Sequence, residues 1–113
     1  MKTENNSYKI LVIDDDESIR KTLTNYLKKL NFNVYSASNG SEGIEIAQKE
    51  IPDLVITDIK MPKADGFEVL KKVKEIDSHI HVIMINAFDD MSSTVKAMQQ
   101  GAYDYIEKPL EID

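Results

Sequence analysis

Residues 10–20 read ILVIDDDESIR, four apolar residues followed at once by the acids Asp14, Asp15, Asp16 and Glu17. The apolar run is continuous rather than alternating, which is the pattern of a strand covered on both faces. The acids at its end are costly. Two like charges about 4 Å apart repel by on the order of 4 kcal/mol at an effective dielectric near 20. A chain that places them there either caps a helix with them or offsets their repulsion with a cation.

Residues 54–56 (LVI) and 82–85 (VIMI) repeat the continuous apolar pattern. Residues 32–37 (FNVYSA) mix apolar and polar, as expected of a strand nearer a sheet edge, and 103–107 (YDYIE) form a weaker fifth candidate closed by Pro109. Helix-period segments lie between them. Ile19, Leu23, Leu27 and Leu30 make one apolar stripe on a helix of about 17–30. A shorter helix runs from Gly43 to Ala47 and ends before Pro52. Val69, Leu70, Val73 and Ile76 mark a third on 65–76, and Met91, Val95 and Met98 a fourth, with Gly101 as its C-terminal stop.

The alternation predicts an α/β fold with a parallel sheet and helices on both faces. The order breaks off after the fifth strand, where KPLEID replaces the helix that follows every earlier strand. The expectation is a single domain over residues 1–113, with 1–7 a loose tail and the last helix missing because the chain is a fragment of a longer protein.

Composition narrows the function. A chain of 113 residues with 42% apolar and 30% charged content reads as one soluble globular domain. It contains no Cys, which excludes disulfides and thiolate metal sites and fits a cytoplasmic protein. Neither a signal-peptide h-region nor a run of membrane-spanning length is present, so no membrane partner is expected. A net charge of −6 argues against direct nucleic-acid binding by this domain.

Ligands of open parallel sheets sit at the carboxyl ends of the strands. There the predicted strands place Asp14, Asp15 and Asp16, then Asp58, then Asn86, then Lys108. An all-oxygen set without Cys or nearby His suits Mg²⁺, with Mn²⁺ as the alternative, and not zinc. A lysine joining such a set points to a phosphoryl group. Taken singly, each residue has a plainer reading: a helix cap for the acids, a turn residue for Asp58, a solvated surface side chain for Lys108. Their convergence on alternate strand ends is what favours a site.

The segments ILVIDDDESIR, PDLVITDIKMPKADGFEVL, HVIMINA and GAYDYIEKP resemble the receiver domain of two-component response regulators. The resemblance runs from about Tyr8 to the end. Its motifs keep their separations, 43 residues from Asp15 to Asp58, 28 on to Asn86 and 50 from Asp58 to Lys108. The stretch DDMSSTVKAMQQGAYDYIEKP is nearest to receivers of nitrogen-regulation-type transcription activators or hybrid kinases.

The resemblance implies a flavodoxin-like, doubly wound five-stranded sheet in the order 2-1-3-4-5. It implies that Asp58 is the phosphoacceptor for a sensor histidine kinase or phosphotransfer protein. Asp14, Asp15, Asp58 and the backbone carbonyl of Lys60 are then the Mg²⁺ ligands, and Lys108 contacts the phosphoryl oxygens. Arg20, five residues past Asp15, matches a basic residue of the family and sets that register, which leaves Asp16 as a helix cap. Asn86 departs from the family, which carries Thr or Ser there, and Tyr105 matches the switch aromatic. Lys60 and Phe88 replace small or acidic residues of fast-hydrolysing members, implying slow autodephosphorylation.

The fourth helix and fifth strand form the family's output and dimerisation face, implying a homodimer through it and a fused output domain. On this reading the chain is a signalling domain rather than an enzyme. Two rivals stand beside it. One is a receiver-like interaction module whose switching is impaired by Asn86. The other is a haloacid dehalogenase-like phosphatase with Asp14 as nucleophile.

Overall fold

A computed structural model of the chain describes residues 8–61, 63–86 and 91–107. The apolar runs form β1 (Lys9–Ile13), β3 (Leu54–Asp58) and β4 (His81–Asn86), and the mixed segments form β2 (Asn33–Ala37) and β5 (Asp104–Glu107). Between them lie α1 (Glu17–Lys29), α2 (Gly40–Glu50), α3 (Gly66–Ile76) and α4 (Met91–Gln99). All strand pairs are parallel, in the order β2-β1-β3-β4-β5, so the mixed strands occupy the two edges.

Parallel pairing needs crossovers, and the helices supply them on both faces. Leu11, Ile13, Val55, Val82 and Met84 join Val69, Leu70 and Val73 of α3 and Ala47 of α2 in the larger core. The alternate strand residues Ile10, Val12, Ile56 and Ile85 turn to the other face and meet Leu23 and Leu27 of α1. Ile10, Leu11, Val12, Ile13, Val55 and Val82 are at most 2% exposed, each contributing about 1.5–3 kcal/mol by burial. Ile106 pairs in register with Ile85 and shares its face, yet remains 42% exposed. Among the described residues, α1 alone supplies helical cover to the smaller core.

The second helix is longer than the predicted Gly43-to-Ala47 segment. It begins where the Asn39 side chain accepts the Glu42 N–H, and it ends at Ile51 in a left-handed turn. Apolar spacing marks only the buried stripe of a helix, whereas caps set its ends. Asp65 caps α3 in the same way through the Glu68 N–H. Gly101 stops α4 with φ of 103°, its N–H donating to the Met98 carbonyl. These ends matter because the loops between them carry the acids.

Candidate metal and phosphoryl site

The β1–β3 register pairs Ile13 with Thr57, so the next residues, Asp14 and Asp58, lie side by side at the carboxyl end of the sheet. One carboxylate oxygen from each of Asp14, Asp15 and Asp58 can be chosen so that all lie within 4.8 Å of one another. Asp14 is fully buried and Asp58 only 6% exposed, whereas Asp15 faces solvent. Two of the three charges are therefore poorly screened by water.

The backbone around Asp14 is tightly held. Its N–H donates to the Ala37 carbonyl at 3.2 Å, extending the β1–β2 ladder by one residue. Its Oδ1 accepts the Asp16 N–H at 2.9 Å, and its carbonyl accepts Arg20 Nη1 at 2.8 Å. Arg20 thus ties α1 to the chain at Asp14, a contact that its spacing in the sequence did not indicate. Asp16 is a helix cap, its Oδ1 accepting from Ser18 N at 2.9 Å and Ile19 N at 3.2 Å. Glu17 pairs with Lys21 one turn on at 3.1 Å, and Lys21 holds its carboxyl below the ordinary range. The four acids of residues 14–17 therefore divide into two that face the cluster and two that start a helix.

Asp58 is the last residue of β3. Its Oδ1 accepts the Ile59 N–H at 2.8 Å, and that N–H is shared with the Ile85 carbonyl at 3.1 Å. Its carbonyl accepts the hydroxyl of buried Thr57 at 2.9 Å. The following loop folds back so closely that Gly66 N donates to the Ile59 carbonyl at 2.7 Å. A Cβ on Gly66 would overlap the Asp58 carbonyl oxygen and stand 2.8 Å from Ile59 Cα. Glycine is required there by the approach of two backbones, which no residue pattern revealed.

The donor set fits a hard divalent cation. Three carboxylates concentrated within 4.8 Å, two of them buried, present oxygen only. No Cys exists in the chain, and oxygen-only sets suit Mg²⁺ or Mn²⁺. Lys60 lies two residues past Asp58 in the β3–α3 loop with its side chain exposed, and Asn86 is the last residue of β4. Tyr105 is half-buried in β5 and packs against the larger core. Lys108 and Phe88 lie outside the described residues.

The family model of the response regulator receiver domain matches residues 10–113, and the chain belongs to that family. It is a signalling domain of the two-component type, with the five-stranded parallel fold of its solved relatives. The receiver domain protein of Clostridium thermocellum superposes with a TM-score of 0.86 at 37% identity, over 92% of this chain and 84% of that one. Among curated proteins, it is 38% identical over 105 residues to sporulation initiation phosphotransferase F of Bacillus subtilis, covering 93% of this chain and 85% of the relative. It is 38% identical over 104 residues to the DNA-binding transcriptional regulator NtrC of Escherichia coli, covering 92% of this chain but 22% of the relative. The probable transcriptional regulator ycf27 of Guillardia theta is 40% identical over 101 residues, 89% of this chain and 39% of the relative. The chain thus spans well under half the length of these two transcriptional regulators.

Proposed function

We propose that the protein is a Mg²⁺-dependent phosphoacceptor switch that takes a phosphoryl group on Asp58 from the phosphohistidine of a sensor histidine kinase or phosphotransfer protein. The observation that carries this reading is the cluster of Asp14, Asp15 and Asp58 within 4.8 Å at the carboxyl end of a receiver-family sheet. In the reaction an Asp58 carboxylate oxygen attacks phosphorus. The P–O bond of an acyl phosphate forms, the P–N bond breaks, and the imidazole leaves with the electron pair.

Asp14, Asp15, Asp58 and the Lys60 carbonyl are assigned as the cation's protein ligands. Bound there, Mg²⁺ offsets the carboxylate charge and that of the incoming phosphoryl group. The Asp14 backbone, anchored by Ala37 and Arg20, and its Oδ1, which accepts the Asp16 N–H, keep one carboxylate in place. The Ile59 N–H on Asp58 Oδ1 orients the nucleophile. Lys108 serves the phosphoryl oxygens, and Asn86 offers an amide donor where the family carries a hydroxyl.

Tyr105 transmits the change to the α4–β5 face, where Val95, Met98 and Tyr103 are exposed. That face is the proposed surface for a homodimer or a fused output domain. Lys60 and Phe88 are proposed to make autodephosphorylation slow. A cytoplasmic location follows from this role, and no helix among the described residues is long and apolar enough to cross a membrane. Membership of the receiver family leaves the haloacid dehalogenase-like alternative, with Asp14 as nucleophile, without support.

The test is incubation with Mg²⁺ and acetyl phosphate, or with beryllofluoride, of wild type and Asp58→Asn. Wild type is expected to gain one phosphoryl group or bind the mimic, and the variant neither. A wild type that does neither is an interaction module and not a phosphoacceptor.

A further inference from the structure

The β3–α3 loop carries Lys60, and its described residues are held from two directions. Its base is closed by the Gly66 N–H on the Ile59 carbonyl. Its flank rests on the first turn of α2, an element that contributes nothing to the acidic cluster. There the Ser41 N–H donates to the Lys63 carbonyl at 2.9 Å. A Cβ on Gly40 would overlap the Ala64 carbonyl oxygen and stand 2.8 Å from its carbon. The two loop residues at this contact, Lys63 and Ala64, have φ of 53° and 74°. That left-handed region is unfavourable for a residue with a Cβ, and such conformations persist only where the surroundings hold them.

We infer that the α2 N-terminus is a positioning clamp for the metal site. The Gly40 and Ser41 backbones hold Lys63 and Ala64 in their left-handed path, and this fixes the Lys60 carbonyl three residues upstream of Lys63. Ser41 acts through its backbone N–H, a first-turn donor that the helix itself does not use. Gly40 acts by lacking a Cβ. Neither is a ligand, and both are positioning residues. The inference rests on the assignment of the Lys60 carbonyl to the cation in the proposed function.

The experiment is a Mg²⁺ titration of ¹³C-labelled protein, following the Lys60 carbonyl resonance beside the Asp15 carboxylate resonance. Wild type is compared with Gly40→Ala, Ser41→Pro and Ser41→Ala. Removing groups that orient a metal ligand typically costs 10–100-fold in affinity, so Gly40→Ala and Ser41→Pro are expected to weaken Mg²⁺ binding at least about tenfold. In both, the Mg²⁺-induced shift at Lys60 should shrink while that at Asp15 persists. Ser41→Ala keeps the N–H and should match wild type.

A general loss of stability would not single out Lys60. If Gly40→Ala does not fold, Ser41→Pro decides alone, since proline is accommodated in a first helical turn. Wild-type affinity with a full Lys60 shift in either folded variant overturns the clamp and leaves the proposed function standing. A wild type that takes up no Mg²⁺ overturns both.

Discussion

Asp14 and Asp58 are 44 positions apart in the chain and neighbours across the β1–β3 register, one buried completely and the other 6% exposed. Their proximity, with Asp15 completing the cluster within 4.8 Å, sets like charges against one another. Removing one charge should therefore stabilise the fold while harming the site. Asp14→Asn keeps an oxygen to accept the Asp16 N–H. It is expected to raise cation-free stability by about 1–2 kcal/mol, since like charges at this range repel by a few kcal/mol before solvent screening. It should also abolish most of the Mg²⁺-induced rise in Tm seen in wild type. Thermal melts with and without Mg²⁺ check both; a less stable Asp14→Asn without cation would contradict the repulsion argument.

Asp16 provides the contrast within the same run. Its side chain caps α1, so Asp16→Ala should cost about 1 kcal/mol in urea unfolding. Its Mg²⁺ affinity should stay within about twofold of wild type, as expected where a substitution removes no ligand. A large fall in affinity would move Asp16 from the cap to the metal.

Gly66 has no room for a methyl group between the Asp58 carbonyl and Ile59 Cα. Gly66→Ala is expected to lower unfolding free energy by about 2–3 kcal/mol, the upper range for overpacking against rigid atoms. Chemical denaturation measures it, and a neutral substitution would mean that the loop base is looser than its 2.7 Å hydrogen bond implies.

Lys96 of α4 sits 4.4 Å from the centroid of the Phe67 ring of α3. Cation–π pairs at exposed sites contribute about 0.5–1 kcal/mol. A double-mutant cycle of Lys96→Met and Phe67→Leu should return a coupling of that size. A coupling near zero would show that the cation–π contact contributes nothing measurable.

Acid sensitivity should have a readable contribution from the α3–β4 turn. The His79 N–H donates to Asp77 Oδ1 at 2.9 Å and, with the His79 ring beside it, holds the Asp77 carboxyl below its usual 3.8. A folded-state pKa below the unfolded one adds stability that is complete above the unfolded value and is lost as pH falls through the folded value. The stability difference between wild type and Asp77→Asn should therefore shrink as pH falls below the ordinary carboxylate range. Urea midpoints from pH 2 to 7 follow it. A difference that grows on acidification would reverse the sign.

The apolar runs 10–13, 54–56 and 82–85 and the helical stripes between them determined the α/β class and the parallel sheet, because burial on both sheet faces demands continuous apolar strands and crossover helices, whereas the strand order was read from the resemblance to receiver domains. The site's principal acids were legible for the same reason: Asp14 and Asp58 stand at the ends of such runs. The cap role of Asp16 was legible from the family register that Arg20 sets, since position before a helix offered the same role to every acid of the run. Tertiary structure alone decided the rest. The Arg20 guanidinium reaches the Asp14 carbonyl, and the Gly66 and Gly40 backbones lie directly against the backbones of Asp58 and Ala64. Backbone atoms are the same in every residue, so side-chain periodicity carries no trace of where two of them meet. The cluster is an arrangement that the register imposes once β1 and β3 lie side by side.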